Sequence, residues 1–170
     1  MTVRPARPDD VADIHALVTE LADYERSADQ VAATATDLSR ALFSDDPRVF
    51  CHVADDGAVG VVGFALWYVT FSTWTGRHGI WVEDLYVRDS HRGTGHGRAL
   101  MAALAAECRR RRYGRLEWWV LDWNLPATRF YEGLGAASMD EWTVNRLDGA
   151  ALEALASTAD ARDGADVGRA

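Results

Sequence analysis

Hydrophobic positions along the chain follow two rhythms. Val11, Ile14, Leu17, Val18 and Leu21 recur every three or four residues. That spacing predicts a helix with one apolar face over PDDVADIHALVTELADYE, with Asp9 or Asp10 as N-cap. TVRPA before it reads as a short strand, and ATDLSRALF after it as a weaker helix capped by Thr36. RVFCHVAD and AVGVVGFALWYVT are strand-like runs separated by the turn DDG, which predicts an antiparallel hairpin. FSTWTGRHG is a loop, and IWVEDLYV is a strand whose apolar run is broken by two consecutive carboxylates, Glu83 and Asp84.

The second half continues the alternation. A helix is predicted from Gly97 to Arg112, with Leu100, Leu104 and Cys108 in register and the cations Arg109 to Arg112 at its C-terminal, negative end. RLEWWVLDW is a strand, NLPATRFYEGLGA a short helix stopped by Gly135, SMDEWTVNRL a last strand, and DGAALEALA a terminal helical turn. The order β-α-α-β-β-β-α-β-α-β predicts an α/β protein with a mixed central sheet flanked by helices. One domain is expected over residues 1–156, followed by a small, polar, disordered tail over 157–170.

Composition narrows the classes. The net charge is -8, which argues against nucleic-acid binding. All the Lys+Arg residues are arginine, so a Walker lysine and Schiff-base chemistry are excluded. The N-terminus has no signal-peptide core and no apolar run is long enough to span a bilayer, so a cytoplasmic protein without membrane partners is expected. Cys51 and Cys108 form no paired motif and read as reduced, buried thiols. His15, His52, His78, His91 and His96 show no metal spacing, and no metal is expected.

The segment DSHRGTGHGRAL carries the first candidate chemistry. Gly93, Gly95 and Gly97 alternate between Arg92 and Arg98. A P-loop fails for want of lysine, and a GxGxxG dinucleotide fingerprint fails because Arg98 stands where its third glycine belongs. The third reading is a pyrophosphate cradle. Backbone N–H groups at a helix start gather an anion, glycines allow close approach, and the arginines add charged donors. The bland alternative is a tight turn that caps a helix.

The pattern Arg92-x-x-Gly95-x-Gly97 after VEDLYV resembles the acetyl-CoA motif of the GNAT superfamily of N-acyltransferases. LADYE, STWTGR, VEDLYV, RGTGHG, VLDWN and FYEGLGA together resemble, in the same order, the diamine acetyltransferases, and most of all their thialysine acetyltransferase branch. The resemblance covers nearly the whole chain except the tail. It implies a GNAT fold, acetyl-CoA as co-substrate, a small primary amine as acceptor, and a homodimer.

An alkylammonium, with a pKa near ~10.4, must lose a proton before it attacks a thioester. A carboxylate among apolar neighbours is pushed toward the range useful for a base. Adjacent strand residues face opposite ways, so Glu83 and Asp84 share one site only if the strand carries a bulge. Glu83 is the favoured base, directly or through water. The resemblance implies the same, and gives Asp84 a part in amine binding. Tyr131 reads from its neighbours as a core tyrosine, but the resemblance makes it the general acid and a cofactor contact. The resemblance also implies that the backbone of Leu85, Tyr86 and Val87 pairs with the pantetheine arm. The loop Arg92, Gly93, Thr94, Gly95, His96, Gly97 and Arg98 would hold the pyrophosphate, with Asn124, Pro126 and Ala127 beside the cofactor.

The resemblance makes Tyr24, Glu25 and Trp74 candidates for the amine pocket, and aromatic faces and carboxylates together suit an alkylammonium. One departure matters. Polyamine-specific relatives carry an acidic residue before the W-x-G segment, where this chain has Ser72. That favours a shorter amine, or one on an amino-acid backbone. A peptide acetyltransferase of the same fold and a CoA-binding sensor without turnover are the rival readings.

Overall fold

The computed structural model describes residues 1–166. Contacts divide the chain into two compact units, Met1–Phe130 and Tyr131–Ala170. The first unit holds a five-stranded sheet in the order β1 (Thr2–Pro5), β2 (Val49–Asp55), β3 (Val61–Ser72), β4 (Arg77–Val87) and β5 (Leu116–Glu117). The first four strands are antiparallel, and β5 joins β4 in parallel. The helices are α1 (Val11–Tyr24), α2 (Ala35–Phe43), α3 (His96–Arg111) and α4 (Leu125–Glu132). This is the mixed sheet with flanking helices that the pattern predicts.

β3 is apolar on both faces, as a strand covered on both sides must be. Phe64 and Leu66 pack with Ile14 and Leu17 of α1 and Leu42 of α2. Ala65 and Trp67 pack with Leu100, Leu104 and Cys108 of α3. Each fully buried Ile, Leu or Phe contributes roughly 1.5–3 kcal/mol. Cys51 and Cys108 are buried free thiols, as their spacing implies.

Several elements differ from the sequence pattern. The cap of α2 is Thr34, not Thr36: its hydroxyl accepts from Asp37 N at 3.2 Å, and Asp37 Oδ2 accepts from Thr34 N at 2.9 Å. This reciprocal pair satisfies two orphan donors at the helix start. The β3–β4 hairpin is longer than expected, reaching Ser72 and Arg77. Ser72 is buried, and its Oγ accepts from Thr75 N at 3.3 Å, so it shapes the turn. The strand expected over RLEWWVLDW pairs only at Leu116 and Glu117.

In the second unit, the expected strand over SMDEWTVNRL does not form among the described residues. Met139, Trp142, Val144 and Leu147 are exposed there, and a strand without a paired neighbour is not stable. α5 (Gly149–Asp166) follows. The expected terminal turn is thus a full helix that continues through Ser157, because its alanine-rich sequence favours helix. Residues 167–170 of the expected tail lie outside the described residues.

Candidate active site

β4 carries the irregularity on which the site depends. Leu66 pairs with Asp84 and Trp67 with Val82, so Glu83 is an extra residue on β4. Ile80, Val82, Leu85 and Val87 all pack toward α3. Trp81 and Glu83 therefore precede the bulge on the opposite face, and Asp84 and Tyr86 follow it on that same face. The two carboxylates share one side of the sheet, as the sequence requires if both are to enter one site.

Their surroundings differ. Glu83 is exposed, and its Oε2 accepts from Trp81 Nε1 at 3.2 Å. Asp84 is partly buried, and burial raises its pKa from 3.8 to about 6, with Glu83 and Glu25 pushing the same way. Glu25, at the C-terminal end of α1, is also raised by burial. Three carboxylates thus crowd one patch, an arrangement that favours a cation among them.

Aromatic rings border the patch. Trp81 lies 6.4 Å from Tyr68 and 4.8 Å, edge to face, from Trp119. Burial and Glu83 raise the Tyr68 phenol. Sequence reasoning passed over Tyr68 and Trp81. The alternation of β4, which puts Trp81 on the face of Glu83, was the signal for Trp81. Trp74 does not join this group within the chain. It is 89% exposed at the hairpin tip, six ladder pairs from the bulge, or ~20 Å along the strand.

Beyond the bulge the sheet opens. β5 pairs with β4 only at Ile80 and Trp81, so among the described residues the edge of Leu85, Tyr86 and Val87 away from β3 has no strand beside it. An extended chain can pair there in the manner of an added strand. The glycine loop lies at the end of this edge. Gly93 and Gly95 take φ 75 and 96, backbone conformations that glycine enters without steric cost. α3 begins at His96, so the N-terminal, positive end of the helix lies at the glycine loop. Gly97 serves packing instead: a Cβ there would lie 3.4 Å from Phe130 Cζ.

Arg92 is tied into the scaffold. Its Nε donates to Val87 O at 2.9 Å, and its guanidinium lies 4.7 Å from the Tyr24 ring and 5.3 Å from the Tyr86 ring. Arg98 is exposed on the first turn of α3. Asn124 is buried and caps α4, its Oδ1 accepting from Ala127 N at 3.3 Å and from Tyr24 Oη at 3.0 Å. Pro126 and Ala127 form the first turn of α4, and Tyr131 lies on its last turn, in the second unit. The structure therefore gathers Tyr24, Tyr86, Arg92 and Asn124 into one contact network, next to the glycine loop.

Residues 14–136 match the Acetyltransferase (GNAT) family. The chain belongs to the GNAT acetyltransferase family. It is an acyltransferase. The chain is 36% identical over 164 residues to a thialysine N-epsilon-acetyltransferase of Bos taurus, covering 91% of this chain and 96% of that one. It is 28% identical over 197 residues to an L-ornithine N5-acetyltransferase of Arabidopsis thaliana, covering 90% and 86%. An integron cassette protein from the mobile metagenome of V. cholerae has a similar structure, with a TM-score of 0.75 and 28% identity over 91% of this chain and 96% of that one.

Proposed function

We propose that the chain transfers acetyl from acetyl-CoA to a small primary amine, in a single GNAT domain over residues 1–156. The observation that carries this reading is the bulge at Glu83, which turns two consecutive carboxylates toward one aromatic-edged patch. The relatives that act on thialysine and ornithine support a short amine on an amino-acid backbone. Ser72 agrees with that choice, since it is buried in the hairpin turn and adds no charge for a longer polycation.

The loop from Arg92 to Arg98 receives the pyrophosphate at the start of α3, and the open edge at Leu85, Tyr86 and Val87 pairs with the pantetheine arm. One N–H of that edge polarises the thioester carbonyl. Asn124, Pro126 and Ala127 border the arm. Tyr24, Glu25, Tyr68 and Trp81 surround the ammonium. Trp74 belongs to this pocket only if it comes from a second subunit.

The Glu83–Asp84 pair accepts a proton from the ammonium, directly or through water. The neutral nitrogen attacks the thioester carbon. The tetrahedral intermediate loses a second proton from nitrogen, and the C–S bond breaks. Tyr131 gives its phenolic proton to the leaving thiolate and regains one from the amine side. The products are the acetamide, CoA thiol and one net proton. No covalent enzyme intermediate forms and no metal takes part.

The protein works in the cytoplasm as a homodimer, and exposed Met139, Trp142, Val144 and Leu147 support an apolar interface. A screen of free amines and peptides with acetyl-CoA, read by thiol release, tests the reading. Turnover with thialysine, ornithine or a short diamine supports it. Turnover confined to peptides favours the protein-acetylating alternative. Acetyl-CoA binding without thiol release favours the sensor.

A further inference from the structure

His96 stands between the last two glycines of the loop, and its ring is buried, with 5% exposure. Thr94 Oγ1 lies 2.6 Å from His91 O and 2.6 Å from His96 Nδ1. These two contacts fix the protons. A hydroxyl has one hydrogen, and a carbonyl oxygen only accepts. Thr94 must therefore donate to His91 O, and His96 Nδ1 must carry a hydrogen and donate to Thr94. In the neutral ring Nε2 is then a bare acceptor. It is buried and makes no hydrogen bond among the described residues. A buried polar atom left unsatisfied costs free energy, so the ring is not placed there merely to fill space.

The bonds from His91 through Thr94 to His96 reach across both left-handed glycines. Around Gly93 and Gly95 no described residue beyond their chain neighbours lies within 4 Å of where a Cβ would be, so packing among the described residues does not hold the loop at these points. Two glycines without packing leave the backbone free to adopt many conformations. The near end of the staple is itself anchored. His91 Nδ1 is 2.8 Å from Ser90 Oγ, and His91 Nε2 is 3.8 Å from Asp56 in the β2–β3 turn. The His91 and His96 rings meet edge to face at 6.0 Å.

We infer that Thr94 and His96 form a positioning device that holds the loop over 92–97 in the shape that receives the pyrophosphate, and so sets acyl-CoA affinity without touching the reacting atoms. The inference rests on the reading of this loop as the acyl-CoA site. Holding a binding loop in its bound shape removes ordering cost from the binding step. Loss of the staple therefore appears in cofactor affinity and not in the chemical step.

The experiment compares Thr94→Val, Thr94→Ser, His96→Leu and His96→Asn with the parent. Acetyl-CoA affinity is measured by calorimetry, KM and kcat by thiol release, and ring protonation by imidazole 15N shifts. Thr94→Val and His96→Leu are each expected to weaken affinity and raise the acetyl-CoA KM by about tenfold, with kcat nearly kept. The double variant is no worse than either single one, because both break one bond. His96→Asn recovers most of the loss, since its amide donates from near the Nδ1 position, and Thr94→Ser behaves as the parent. The parent's His96 shows a protonated Nδ1 and a bare Nε2. Folded Thr94→Val and His96→Leu proteins with parental affinity would overturn the inference, as would a His96→Asn protein no better than His96→Leu, or a ring protonated at Nε2 alone. A parent that binds no acetyl-CoA would instead overturn the cofactor reading itself, whatever the ring protonation.

Discussion

Glu83 and Asp84 are neighbours in the chain and face the same side of the sheet. The extra residue in β4 makes this possible, since Asp84 keeps Leu66 as its partner while Val82 keeps Trp67. A regular strand would send one of the two carboxylates into the apolar cluster against α3. The bulge replaces that cost with a smaller one, the partial burial of Asp84 beside Glu83 and Glu25.

That burial makes stability depend on pH at Asp84. Its folded pKa, about 6, lies above the ordinary 3.8. Such a group favours the fold below its unfolded pKa, and this contribution is lost as pH rises from about 4 through about 6. Asp84→Asn removes the penalty of the buried charge. Urea unfolding at pH 8 is expected to show the variant more stable by roughly 1–2 kcal/mol, less than the full shift implies because the carboxylate is partly exposed. The gain should fade at pH 4. An equal gain at both pH values would contradict the assignment.

Trp81 shares the face of Glu83 and bonds to it. Trp81→Leu removes a ring from the border of the carboxylate patch. The amine KM is expected to rise about fivefold, the size of an ordinary cation–π contact, while the acetyl-CoA KM stays near its parental value. Equal changes in both would show that Trp81 shapes the fold more than the amine pocket.

Tyr24 and Asn124 join the end of α1 to the start of α4 through one hydrogen bond of 3.0 Å. Tyr24→Phe is expected to cost about 1 kcal/mol of stability in urea unfolding. Asn124→Ala should cost more, about 1–2 kcal/mol beyond that, because it also removes the cap of α4. The double variant should fall short of the sum, and full additivity would mean the bond contributes nothing.

Much of this was legible in the sequence, for identifiable reasons. Periodicity located α1, α3 and the strands through IWVEDLYV, because each buries a face against the sheet. It also stated the condition under which Glu83 and Asp84 could act together. That the bulge exists was not legible, since it depends on the register of β3 against β4. The same register put Trp74 at a hairpin tip, away from the patch. The expected strands at RLEWWVLDW and SMDEWTVNRL had the right alternation, yet alternation alone supplies no partner. The burial of the His96 ring was not legible either, because it follows from how α3 begins.

The most direct test of the central claim is the pH profile of kcat/KM for the best small amine, in the parent and in Glu83→Gln. The parent should lose activity as pH falls through about 6, where the buried carboxylate gains its proton. Glu83→Gln removes a negative neighbour that holds this value up, so its acid limb should move to lower pH, with a reduced maximum. An acid limb at the same pH in both proteins, or none between pH 5 and 8 in the parent, would contradict the claim that the paired carboxylates take the proton from the amine.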